Sequence, residues 1–222
     1  MKTKIIATLN WRYSYKKIKN IIDEGVSISR INLKYTPLKE YDKFSEKLRK
    51  AGVKIMLDFK DRSKLHAIKE KDFDYLGISF AENPKEIEDM KKKFPRKKII
   101  SKIETKKGVD NVNKLIKVSH GIMIARGDLG RNIPIEKVPM IQKQITKKCN
   151  RKNKFSITAT EIMPSMVTRV RPSRAEVSDI FNAIIEGSDA LLLAEETVIG
   201  KHPELVVKEL RKIIKESEKY LK

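Results

Sequence analysis

Short apolar runs rich in β-branched residues alternate along this chain with longer stretches of helical period, and no other feature narrows its possible folds as far. Strands are expected at 4–9, 27–33, 54–59, 75–80, 98–104, 121–125, 155–160 and 190–194. Helices are expected at 14–24, 38–51, 63–71, from Asn83-Pro84, at 109–117, at 135–152, from Ser173, and at 203–221. Several boundaries carry their own chemistry. Gly25 and Gly52 close the first two helices, and Asn83 before Pro84 suits a cap with proline in the first turn. Ser173-Arg174-Ala175-Glu176 has the form of a capping box. Eight such units in 222 residues predict a (β/α)8 TIM barrel, with 1–222 as a single domain. A doubly wound open sheet is the alternative. It is weakened because no G-x-G-x-x-G follows the first strand and no G-x-x-x-x-G-K-[ST] occurs.

Composition removes several function classes. No apolar run approaches the roughly 18 residues of a transmembrane helix. The apolar stretch at 2–9 is too short for a signal peptide. Cys149 is alone, which excludes an internal disulfide and a cysteine-based zinc site, so a cytoplasmic location is expected. The net charge is +21, from 50 Lys+Arg against 29 Asp+Glu. A nucleic acid would suit that charge, but the basic residues are spread along helices, as at Lys16, Lys17, Lys19 and Lys91 to Lys93. They are not interleaved with aromatics, so a solvated surface is the favoured reading and nucleic acid is not an expected partner. A positive field would also favour a small anionic substrate.

Barrel enzymes carry their chemistry at the C-terminal ends of the strands. Here those ends bear Arg30 and Asn32, Asp58, Ser79, Lys102 and Glu104, Arg126-Gly127-Asp128, Thr160, and Glu195-Glu196. The pairs Arg30/Asn32, Lys102/Glu104 and Arg126/Asp128 are two residues apart, which on a strand places each pair on one face. Buried charges of both signs must pair or hold an ion. Glu104 and Asp128, from neighbouring strands, suit Mg²⁺ or Mn²⁺, while Lys102 and Arg30 suit a phosphate or carboxylate. The bland readings are a structural Lys102–Glu104 pair, an Arg-Gly-Asp turn and a solvated Glu195-Glu196 loop. His66, His120 and His202 lack ligand spacing, and Cys149, Trp11 and Tyr13 read as packing residues.

At this point the motifs become informative together. Residues 99–108, IISKIETKKG, resemble the lysine-glutamate strand of the pyruvate kinase family. Residues 121–138, GIMIARGDLGRNIPIEKV, resemble its metal and substrate loop. TATEIMPSM at 158–166 and RPSRAEVSDIFNAIIEGSDALLLAEET at 171–197 continue the likeness, as do TKIIATL, SISRINL and IMLDFKD nearer the N-terminus. The resemblance implies phosphoryl transfer between phosphoenolpyruvate and ADP, giving pyruvate and ATP. It implies Glu104 and Asp128 as metal ligands and Lys102 as the cation beside the phosphoryl group. Arg30 and Ser79 would bind phosphate, while Gly127, Asp128 and Thr160 would hold the substrate carboxylate and Glu196 would lie beside the substrate. Thr160 would also lie near the carbon that gains a proton. Asn32 and Asp58 match two ligands of a monovalent-cation site. Homologous barrels associate through outer helices, so a homodimer is plausible.

The departures bear on function. Asp58 to Ser63 passes almost directly into the next helix, where the family inserts a lid domain, and no C-terminal regulatory domain is expected. Lys34 and Phe59 stand where the family has a serine and a threonine of the K⁺ site, so that site is half gone and the Lys34 ammonium is expected to replace the ion. Ala194-Glu195, Arg131-Asn132 and Glu161 also differ from the family pattern. Two other functions stay open. One is a lidless metal-dependent enolpyruvate enzyme, acting as aldolase, decarboxylase or proton exchanger. The other is a non-catalytic phosphoenolpyruvate- or pyruvate-binding protein.

Overall fold

The computed structural model describes residues 2–60, 66–68 and 71–221. Eight parallel strands, each hydrogen-bonded to its neighbours in chain order, close into a barrel. They are β1 (Lys4–Thr8), β2 (Val26–Asn32), β3 (Lys54–Phe59), β4 (Tyr75–Ile78), β5 (Lys98–Ile103), β6 (Gly121–Ala125), β7 (Phe155–Ala159) and β8 (Ala190–Leu193). Closure is made by β1 and β8, with Ile6 beside Leu192. The eight-unit periodicity therefore yields the expected (β/α)8 architecture.

Alternation along the strands divides the apolar residues into two cores. Ile6, Ile28, Met56, Tyr75, Ile100, Met123, Ile157 and Leu192 fill the lumen. Their neighbours in sequence, such as Ile5, Ile55, Leu57, Ile99, Ile122 and Leu191, face outward into the larger core beneath the helices. Above the lumen plug, positions two residues on are polar: Arg30 after Ile28, Asp58 after Met56, and Lys102 after Ile100. The same alternation that builds the core thus lifts charged groups to its upper end.

The helices are α1 (Tyr15–Asp23), α2 (Tyr41–Lys50), α3 (Pro84–Lys93), α4 (Lys106–Asp110), α5 (Val112–Val118), α6 (Arg126–Asn132), α7 (Val138–Arg151), α8 (Arg174–Ile185), α9 (Glu195–Val198) and α10 (Pro203–Lys219). Asn83 caps α3 through the Lys85 N–H, and both halves of the Ser173/Glu176 capping box form at α8. Among the described residues no helix is long and apolar enough to cross a membrane.

One expected helix needs correction. The helix expected at 109–117 is two, α4 and α5, broken at Asn111. The start moves earlier because Thr105 caps α4 by accepting the Gly108 N–H. Directly after β6 the chain forms α6, where no helix is expected. The helix expected at 63–71 lies mostly outside the described residues, and 66–68 form a turn.

Candidate active site at the C-terminal mouth of the barrel

A cavity of about 570 Å³ opens at the C-terminal ends of the strands. Its floor is a buried cluster of two cations and two anions. Arg30 Nε and Nη2 lie 2.9 and 2.8 Å from Asp58 Oδ2. Arg30 Nη1 donates to Thr8 Oγ1 at 3.1 Å, and Thr8 donates onward to the Leu193 carbonyl. Lys102 Nζ reaches Asp58 Oδ1 at 3.1 Å, Glu104 Oε1 at 3.0 Å and Ser79 Oγ at 2.9 Å. An ammonium has three donors, and here three acceptors surround it. Glu104 Oε2 accepts the Phe80 N–H at 2.6 Å, where the chain leaves β4 with φ of 50°.

This cluster is buried, so solvation stabilises its charges little and pairing must do so. Burial alone would raise Asp58, but Lys102 and Arg30 outweigh it and hold the carboxyl below its usual range. Burial dominates at Glu104 and raises it, with Lys102 and the Phe80 N–H offsetting only part. The two carboxylates therefore differ in character: Asp58 is a fixed counter-ion, whereas Glu104 gains from further positive charge.

A divalent cation fits that asymmetry. Asp128 lines the same cavity with 37% of its side chain exposed, and Arg131 approaches its Oδ1 at 3.4 Å. Among the described residues no three His, Cys, Asp or Glu side chains gather in a ligand group. An ion here would draw on Glu104 and Asp128 and complete its shell with water and substrate oxygens, a habit of Mg²⁺ and Mn²⁺.

The strand face expected to carry Arg126 with Asp128 does not exist, because β6 ends at Ala125 and both residues belong to α6. On a helix, residues two apart diverge. Asp128 faces the cavity, while Arg126 turns to Asp179 at 2.7 Å and to the carbonyls of Thr160 and Glu161, each at 2.8 Å from Nη2. Thr160 has φ of 71° and Glu161 φ of 53°, the left-handed region that a β-branched residue enters only under restraint. Arg126 supplies that restraint, and the Gly127 N–H adds to it by donating to Thr160 Oγ1 at 2.7 Å. Arg126 is the residue that sequence reasoning noticed without giving a role. Its position directly after an apolar strand was the available signal.

The long loop after β7 is held by buried carboxylates. Glu196 accepts the Met163 and Ala194 N–H groups, one on each oxygen, and lines the cavity beside them. Glu176 accepts from the Ser165 N–H and hydroxyl and from the Ser173 N–H. The contacts to Met163 and Ser165 are not legible from spacing, since they link residues 33 and 11 apart.

The remaining expected residues separate. Asn32 lines the cavity, but its Oδ1 accepts the Lys34 N–H at 2.9 Å. The Lys34 ammonium lies 3.3 Å from Tyr35 Oη, and among the described residues no ion pair joins it to Asp58. The cations paired with Asp58 are Arg30 and Lys102. Tyr35 Oη reaches Glu195 Oε1 at 3.4 Å, which ties together two of the positions that depart from the family pattern. His120 is structural, with Nδ1 accepting the Ile99 N–H. Cys149 is buried in α7, and burial pushes its thiol up to about 12.

Residues 47–207 match the family described as "Pyruvate kinase, barrel domain". The chain is similar to the pyruvate kinase of Methanocaldococcus jannaschii, with 43% identity over 174 residues, 75% of this chain and 39% of that protein. Against the Thermotoga maritima pyruvate kinase the identity is 48% over 154 residues, 68% of this chain and 33% of that protein. Against that of Clostridium perfringens it is 44% over 164 residues, 72% and 35% respectively. The chain spans between a third and two fifths of the length of these relatives.

Proposed function

Since this chain belongs to the pyruvate kinase family, we propose that its barrel mouth binds phosphoenolpyruvate and passes the phosphoryl group to ADP, with Mg²⁺ or Mn²⁺ bound. The observation that carries this reading is the placement of Lys102, buried yet on the cavity floor and fixed by Asp58, Ser79 and Glu104. An ammonium so held needs no reorganisation when charge shifts across a phosphoryl group in transfer.

The roles follow from position. Arg30 and Ser79 receive phosphate oxygens beside Lys102. Gly127, Asp128 and Thr160, at the start of α6 and the end of β7, receive the substrate carboxylate. Glu196 lines the substrate space while its oxygens hold the backbone around it. Glu104 and Asp128 are the residues suited to the divalent ion, which when bound supplies positive charge to phosphoryl and enolate oxygens. Transfer breaks the bond from phosphorus to the enol oxygen and forms one to the terminal phosphate oxygen of ADP. The enolate carbon takes up a proton near Thr160. A cytoplasmic setting and association through outer helices into a homodimer belong to the same reading, with the whole of 1–222 as one barrel domain.

One observation favours a second reading. Only 15 residues separate β3 from β4, so the mouth has no inserted domain at the place where the family carries its lid. Lid closure excludes water from transferred groups. A mouth that lacks it suits enolate chemistry on pyruvate, with proton exchange at the methyl group.

A lactate dehydrogenase-coupled assay with phosphoenolpyruvate, ADP and Mg²⁺ tests the first reading. Metal-dependent exchange of pyruvate methyl protons without ATP formation would transfer support to the second. Failure to bind oxalate, an enolate mimic, in the presence of metal would sink both and leave a non-catalytic binding role. Lys102→Met is expected to abolish transfer while sparing metal binding, because both carboxylates remain.

A further inference from the structure

The opposite end of the barrel carries a feature that the mouth does not use. Three strands open on the same pattern: Lys4-Ile5-Ile6, Lys54-Ile55-Met56 and Lys98-Ile99-Ile100. In each the lysine is exposed and the next residues are buried. Ile6, Met56 and Ile100 fill the lumen, so by the two-residue period of a strand the lysines two positions before them share that inward side. They come from β1, β3 and β5. In an eight-stranded barrel alternate strands supply one layer of side chains, and the fourth member, from β7, is Phe155. The lowest layer of this barrel is therefore three lysines and a phenylalanine.

Contacts agree for two of the three lysines, and Lys54 is assigned to the layer by strand period alone. Lys4 Nζ stands 5.2 Å from the centre of the Phe155 ring, and Lys98 Nζ stands 5.6 Å from that of Tyr75. The two rings are 6.5 Å apart, centre to centre, and form an aromatic floor beneath the Lys4 and Lys98 ammonium groups. Among the described residues none of the three lysines has an ion-pair partner. The carboxylates at this end are engaged elsewhere. Asp74 serves Arg49 and the Ile55 N–H, Asp189 serves Ser156, and Glu218 serves the N–H groups of Lys2 and Thr3. His120 registers the local field: burial lowers it first, and Lys91, Lys154 and Lys98 lower it further.

We propose that the N-terminal end of the barrel axis is an anion site, in which Lys4, Lys54 and Lys98 grip a compact polyphosphate above the Phe155–Tyr75 floor. The lumen of an eight-stranded barrel is only wide enough for its own side chains, so the three charges ring a small area. That geometry suits a compact anion with several charges better than a flat bilayer or a nucleic-acid duplex. Lysine is a point charge without a planar fork, which matches phosphate oxygens better than a lone carboxylate. The ring repels itself when empty, and a bound polyanion relieves that repulsion.

Inorganic tripolyphosphate is the probe, titrated at low ionic strength into the full chain with amide NMR shifts as the readout. Saturable shifts are expected at Lys4, Tyr75, Lys98 and Phe155. The triple variant Lys4→Gln/Lys54→Gln/Lys98→Gln should weaken binding about tenfold or more at these amides. Lys16→Gln/Lys39→Gln/Lys43→Gln removes the same charge from exposed positions at or just before the starts of α1 and α2, at the opposite end of the barrel, and should leave them nearly unchanged. The single variant Lys54→Gln, which removes no ring contact, should weaken binding partially and guards against misfolding of the triple. Shifts confined to the mouth residues, equal losses in the two triple variants, or binding of a nucleic-acid oligomer but not of tripolyphosphate would each overturn the proposal.

Discussion

Replacing Arg126 with Met should show how the mouth is held in shape. The guanidinium bonds the Thr160 carbonyl through Nε at 3.2 Å and through Nη2 at 2.8 Å, the Glu161 carbonyl at 2.8 Å, and Asp179 at 2.7 Å. Hydrogen bonds from a charged donor contribute about 1.5–3 kcal/mol each, but bonds from one group are not additive. The Asp179 pair adds little, because 40% of that side chain is exposed and water screens it. Relaxation of the left-handed Thr160 and Glu161 returns about 1–3 kcal/mol each and offsets part of the loss. The net expectation is a destabilisation of about 3 kcal/mol. For a chain of this size that lowers Tm by about 6–12 °C. Differential scanning calorimetry measures the stability term, and oxalate binding in the presence of Mg²⁺ measures the site. Affinity should fall with stability, since Thr160 and the start of α6 move together. Arg126→Lys should recover only part of both, because an ammonium cannot serve two carbonyls and Asp179 in one plane. A Tm unchanged within about 2 °C, or full oxalate affinity in Arg126→Met, would refute this account of the clamp.

Further outcomes follow from the same contacts. Burial alone would raise Glu176, but the bonds from Ser165 and Ser173 outweigh it and lower the group. Its stabilising contribution is thus complete above the ordinary Glu value near 4.3 and is lost as pH falls through the lowered folded value. Glu176→Gln should flatten the acid limb of a stability–pH profile, and an identical acid limb would contradict this. Cys149, buried and pushed up to about 12, should resist a thiol reagent at pH 8 until the chain unfolds; stoichiometric labelling of the native protein would contradict that. Exchanging K⁺ for Na⁺ should leave turnover unchanged, because Arg30 and Lys102 already neutralise Asp58; a strict K⁺ requirement would refute it.

The barrel and the content of its mouth were legible in the sequence because both rest on local periodicity. A two-residue alternation sorts Ile100 into the lumen and Ile99 under the helices, and it carries Lys102 and Glu104 to the same rim. The caps at Asn83 and Ser173 are equally local, each involving atoms within three residues. Element ends were less legible. The 126–134 stretch reads as a loop from its Gly and Pro content, yet the chain coils into α6 there, with Leu129 fully buried against the barrel.

What the sequence determined by itself was the closed alternation of strand and helix and the set of charges it lifts to one end. What only the tertiary structure decided was which charge answers which. Asp58 pairs with Arg30 and Lys102, 28 and 44 residues away, and Lys34 turns to Tyr35 instead. The backbone period states the side of a strand on which a carboxylate lies. Its partners depend on distances across a closed barrel, and those exist only once every strand has taken its place.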